Sequence, residues 1–165
     1  MYNDGESGRC SPEHEKKPEP FDGAECFTTK KDALVCEDAF INSPEAGLFG
    51  VADGVGGSHR GDLASNLATS VLMSSFTQNQ TGSVKEKLED AAKACAEAFK
   101  QISNVQGSNT TLSAVAIERT GDTFELHIAH IGDSRAYCFR KDSQTLDRLT
   151  HDDGYLELLV KASIL

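Results

Sequence analysis

The chain has 165 residues, with 26 Asp and Glu against 16 Lys and Arg and a formal net charge of −10, which fits one domain with a real core. No basic cluster exceeds two residues, which argues against nucleic acid as a partner. No apolar run approaches the roughly 20 residues of a membrane span and the start M-Y-N-D-G-E-S-G lacks a signal peptide's basic and apolar regions, so a cytoplasmic protein with no membrane contact is expected.

Residues 1–25 are polar and hold Pro12, Pro18 and Pro20, which reads as a disordered or loosely attached leader. Folded pattern starts near Cys26. Glu37 and Asp38 precede the apolar pair Phe40 and Ile41. Leu48, Phe49, Val51 and Ala52 then form a short, nearly continuous apolar strand of the fully buried kind. Asp53 stands where that strand leaves the core for a glycine-rich turn, and a carboxylate there is costly unless something offsets it. The two strands together bring three carboxylates to one end of a sheet, where a divalent cation would relieve their repulsion.

After Gly61, the residues Leu63, Ala64, Leu67, Ala68, Val71, Leu72 and Phe76 paint one face of a helix. A second helix is predicted over 84–102. Ser83 and Glu86 form a capping-box pattern at its start, and Val84, Leu88, Ala91, Cys95, Phe99 and Ile102 form its inner stripe. From Thr110 the period changes to that of strands. T-T-L-S-A-V-A-I-E and F-E-L-H-I-A-H-I are joined across Gly121 and Asp122, a tight hairpin turn. Residues 136–139 continue as a strand, 146–149 offer one more, and a helix with Leu156, Leu159, Val160 and Ile164 on one face begins near Asp153. The five cysteines (Cys10, Cys26, Cys36, Cys95 and Cys138) are odd in number with no C-x-x-C pair, favouring reduced thiols over disulfides or zinc.

Four motifs occur in a fixed order: E-D-A at 37–39, V-A-D-G-V-G-G at 51–57, T-T-L at 110–112 and A-H-I-G-D-S-R-A-Y at 129–137. Singly each is unspecific, but as an ordered set they resemble the metal-dependent protein serine/threonine phosphatases of the PP2C (PPM) family, particularly its bacterial-type branch. L-T-H-D at 149–152 is similar to the segment after that family's G-D-S-R strand, and the resemblance covers 26–165. It implies an α+β fold, a sandwich of two antiparallel sheets flanked by helices, and hydrolysis of phosphoserine or phosphothreonine in a phosphoprotein substrate. It also implies two Mg²⁺ or Mn²⁺ ions, hard cations that favour oxygen ligands. Asp53 would be the bridging ligand and the Gly54 carbonyl a further one, while Glu37 and Asp38 would hold the metals directly or through water. Asp133 is a candidate for a third metal position, with an Asx turn as the alternative.

Other positions have plainer readings. His130 shares a face with Leu126 and Ile128 and reads as a satisfied, partly buried histidine. Thr110 and Thr111 read as packing and hydrogen-bonding residues. Val55 stands where many eukaryotic members have a histidine, and Ala33 where an arginine often binds phosphate, leaving Lys30, Lys31 or Arg60 as electrostatic substitutes. The family's later S-D-G and D-N motifs have no counterpart up to Leu165. The expectation is therefore a front portion of a phosphatase domain with feeble turnover alone. A catalytically inactive module binding a kinase or phosphoprotein is the second reading, and self-association through uncovered sheet edges is compatible with either.

Overall fold

The computed structural model describes residues 36–55, 60–102 and 107–153. The leader, Lys30, Lys31, Ala33, the glycines at 56–57 and the helix expected from Asp153 onward lie outside that range.

A four-stranded antiparallel sheet in the order β1-β2-β3-β4 forms the centre, with β1 at Asp38–Ser43, β2 at Leu48–Asp53, β3 at Leu112–Thr120 and β4 at Thr123–Ile131. A separate two-stranded sheet pairs β5 (Tyr137–Arg140) with β6 (Thr145–Arg148). Two helices, α1 (Gly61–Gln78) and α2 (Val84–Gln101), connect β2 to β3. The expected α+β class with antiparallel sheets is therefore present. The β3–β4 turn is the two-residue one read from the sequence: Thr120 pairs with Thr123, and Gly121 takes the left-handed φ of 64° that such a turn demands.

The helices lie on one face of the large sheet. Ala39, Ile41, Leu48, Ala52, Leu112, Ala114 and Ala116 point towards them and are buried. All of these but Ala39 cluster with Ala68, Leu72 and Phe76 of α1 and Leu88, Ala91 and Cys95 of α2. Leu48 and Leu72 have no exposed surface, and truncating either to alanine would cost about 2–5 kcal/mol. The alanines on the sheet let both helices approach closely.

On the opposite face the pattern departs from expectation. Phe40, Val51 and Leu126 remain 51%, 44% and 46% exposed. β2 is thus buried on one side rather than both, because among the described residues the helices cover only one face. The apolar stripe of α1 also differs. Ser65 and Thr69 are buried while Leu63, Leu67 and Val71 are only half-buried. The two hydroxyls return bonds to their own helix, Thr69 Oγ1 to the Ser65 carbonyl at 3.0 Å and Ser65 Oγ to the Asp62 carbonyl at 3.3 Å. Burying them therefore leaves no orphaned polar group. In α2 the capping box forms in full: Glu86 N–H donates to Ser83 Oγ at 3.3 Å, and Ser83 N–H to Glu86 Oε2 at 2.8 Å.

Candidate active site

The ends of β1 and β2 set two carboxylates directly opposite one another, Asp38 against Asp53. One step outward, Gly54 N–H donates to the Glu37 carbonyl at 3.0 Å. Hydrogen-bonded and non-bonded pairs alternate along an antiparallel ladder, so Asp38–Asp53 is a non-bonded pair, the kind whose side chains stand closest. Both aspartates are exposed and point to the face away from the helices. Glu37, half-buried, comes one residue earlier, and strand alternation turns it towards the other face. The sheet thus unites Asp38 with Asp53 and attaches Glu37 through its backbone to Gly54.

Thr111, just before β3, fixes Asp53 from the other side. The Asp53 N–H donates to Thr111 Oγ1 at 3.0 Å, and the Thr111 N–H donates to the Asp53 carbonyl at 2.9 Å. Both backbone groups of Asp53 are therefore held, leaving its carboxylate as the group presented outward. Thr111 Oγ1 is also 2.6 Å from Ser134 Oγ, which draws loop 132–134 up to the same sheet end. The exposed Asp133 sits in that loop between two anchored neighbours, since the Asp153 N–H donates to the Gly132 carbonyl at 2.7 Å. The Asp133 carboxylate makes no hydrogen bond among the described residues, so the Asx-turn reading does not hold.

Gly54 is required by packing. A Cβ at this position would lie 2.1 Å from the Gly61 carbonyl oxygen and 2.7 Å from that of Glu37. The strand end and the start of α1 touch backbone to backbone, which only glycine permits. Arg60, one of the proposed substitutes for the absent phosphate-binding arginine, is engaged elsewhere. Its Nε and one terminal nitrogen each donate to Asp62 at 2.9 Å, and those bonds raise its pKa.

Sequence reasoning assigned no role to the ion pairs behind loop 132–134. Arg135 donates to both oxygens of Asp152, at 3.0 Å from Nε and 2.6 Å from a terminal nitrogen, and Arg148 donates to the same carboxylate. The Arg135 bonds hold the Asp152 carboxyl below its usual range. In the sequence, residues 149–152 stand out only as a motif. Their partners are His130 of β4, Arg135 and Ala136 on the approach to β5, and Arg148 at the end of β6, so spacing alone could not reveal them. At the far end of β3 and β4 a further trio converges. Glu118 pairs with Glu125 across the strands, and His127 Nε2 lies 2.9 Å from Glu118 Oε2. Among the described residues this is the one group of three His, Cys, Asp or Glu ligand atoms within 4.8 Å of one another, and no motif marks it in the sequence.

Residues 28–157 match the family described as protein phosphatase 2C. The serine/threonine protein phosphatase PstP of Mycobacterium tuberculosis is 32% identical over 119 residues, covering 70% of this chain and 22% of that protein. The serine/threonine phosphatase stp of Listeria welshimeri is 30% identical over 130 residues, 74% of this chain and 49% of that one. Among solved structures, the catalytic domain of PstP in complex with two manganese ions superposes with a TM-score of 0.64 at 29% identity, covering 81% of this chain and 56% of that one. The chain thus spans about half or less of the length of the curated relatives it matches. With the family's motifs on these strand ends and the matching fold, the chain belongs to the protein phosphatase 2C family.

Proposed function

We propose that this chain carries the Asp38–Asp53 part of a metal-dependent phosphoprotein serine/threonine phosphatase centre. The observation that carries the reading is the close cross-strand pairing of two exposed carboxylates, one of them on a strand end pinned through both backbone groups. Two like charges so placed repel, and a hard divalent cation with oxygen-ligand preference is the natural counter-charge. The donor set fits Mg²⁺ or Mn²⁺, and the manganese in the PstP structure supports the choice. Asp53 and the Gly54 carbonyl would hold the ions, with Asp38 from across the strand and Glu37, turned to the other face, acting through water and Asp133 serving a third, weaker position. When bound, such ions lower the pKa of a shared water and offset charge on the transferring phosphoryl group.

The chain's own residues supply rigidity. Thr111 keeps Asp53 from rotating with the strand end. The Gly54–Gly61 contact sets the strand end against α1, and the Thr111–Ser134 hydroxyl bond keeps Asp133 beside the pair. Substrates are phosphoserine- or phosphothreonine-bearing proteins, as the names of the relatives support.

The test is a calorimetric titration of Mn²⁺ into the wild type, Asp53→Asn and Asp38→Ala. Asp53→Asn is expected to abolish the binding heat. Asp38→Ala is expected to weaken affinity less, because solvent replaces a water-mediated ligand more easily. Unchanged affinity in Asp53→Asn would remove that residue from the centre.

A further inference from the structure

His130 lies opposite Ser113 in the β3–β4 ladder, and its ring makes a bond at each nitrogen. Nδ1 is 2.7 Å from Ser113 Oγ and Nε2 is 3.0 Å from the His151 carbonyl oxygen. A carbonyl only accepts, so Nε2 carries a proton, whereas the single Ser113 hydroxyl hydrogen faces two acceptors, Nδ1 and the Ser134 carbonyl, and serves one of them at a time. Ser113 Oγ also lies 3.0 Å from the Ser134 carbonyl. One imidazole therefore meets three pieces of chain: β3, loop 132–134 through Ser113, and segment 150–153 through His151.

Those pieces are tied together around it. The Asp153 N–H donates to the Gly132 carbonyl, the Ala136 N–H donates to Thr150 Oγ1 at 3.0 Å, and Arg135 grips Asp152. Loop 132–134 is thus held between segment 150–153 and two residues at the start of β3, Ser113 within the strand and Thr111 just before it, and Thr111 is the residue that pins Asp53. We propose that His130 is a positioning residue for the metal centre: it fastens the loop carrying Asp133 to the strand that fixes Asp53, and so sets the spacing of the two aspartates. This rests on the metal-centre reading above. The ring touches neither aspartate and acts only through Ser113 and the His151 carbonyl.

The experiment is a Mn²⁺ titration of the full chain in wild type, Asp53→Asn, Asp133→Asn, His130→Phe, His130→Gln and the double variant His130→Phe/Asp133→Asn. Circular dichroism of each serves as the fold control. His130→Phe keeps the ring volume and removes both bonds, whereas the Gln amide reaches the Nε2 position and keeps the donor to His151. Asp133→Asn and His130→Phe are each expected to weaken binding roughly tenfold. The double variant is expected to be no weaker than either single one, and His130→Gln to recover most of the loss. Imidazole ¹⁵N shifts of the wild type should show a protonated Nε2.

Additive losses, wild-type affinity in His130→Phe, or a ring protonated at Nδ1 alone would each overturn the positioning role. If Asp53→Asn binds Mn²⁺ as wild type does, the metal-centre reading falls and this proposal with it. Asp53-dependent binding that ignores His130 sinks this proposal alone.

Discussion

Gly54 meets two demands, one on its carbonyl as a proposed ligand and one on the space where a side chain would be. The sequence marked it for the first, while the second depends on Gly61, seven residues on, whose carbonyl would lie 2.1 Å from an added Cβ. Gly54→Ala is therefore expected to destabilise the fold by about 1–3 kcal/mol or more, since the clash is with backbone and cannot be relieved by a rotamer change. Urea unfolding checks this. Asp53 was legible as a strand-end carboxylate, but the hold of Thr111 on it was not, because that bond spans 58 residues and requires the β2–β3 register. Cys95 gives a separate residue-scale test. Burial pushes its thiol up to about 11, and its Sγ lies 3.4 Å from the Ala68 carbonyl. The folded state resists losing that proton, so stability should fall as pH rises above the ordinary thiol range towards 11. At pH 8, iodoacetamide is expected to alkylate the exposed Cys36 and spare Cys95 until the protein is unfolded, as read by mass spectrometry.

Among the elements, α2 was readable almost in full because its signals are local. The Ser83–Glu86 box forms as its spacing predicts, and Leu88, Ala91 and Cys95 are buried as its stripe predicts. The Ser83 backbone N–H, and then its hydroxyl, hold the Glu86 carboxyl below its usual range. A depressed folded pKa means that the box contributes fully at neutral pH and loses its contribution as pH falls through and below the ordinary glutamate range. Ser83→Ala is expected to cost about 1 kcal/mol at pH 7 and markedly less in strong acid, a difference that denaturant titrations at two pH values resolve. In α1 the periodicity gave the element and part of its inward face, for Ala64, Ala68, Leu72 and Phe76 are buried while Leu63, Leu67 and Val71 are only half-buried. Ser65 and Thr69 count as polar in any hydropathy pattern, yet they pack inward because each satisfies its hydroxyl within the helix. The β5–β6 hairpin was legible as strands, whereas the Arg135–Asp152–Arg148 pairing behind it was not, since it joins the approach to β5, the end of β6 and residue 152 through side chains that sequence spacing does not align.

For the molecule as a whole, the order of motifs conveyed more than any one of them. The helices, the strands and one antiparallel pair followed from period changes along the chain and the α+β sandwich from the family resemblance, while the one-sided cover of the large sheet among the described residues became visible only with the helices in place. Among the described residues, the same one-sidedness leaves Asp38 and Asp53 exposed on a protein whose net charge is −10. Water and dissolved ions therefore reach this pair directly. In the absence of divalent cations, an ionic atmosphere is what remains to soften the repulsion, and its reach shrinks as salt is added. Raising NaCl from about 20 mM, where the Debye length is tens of ångströms, to about 500 mM, where it is only a few, is expected to raise the melting temperature of the wild type. Asp53→Asn should begin from a higher melting temperature at low salt and gain less from the same addition, because one of the two opposed charges is gone. An equal gain in both proteins would assign the salt response to the diffuse surface charge instead of to the end of the sheet.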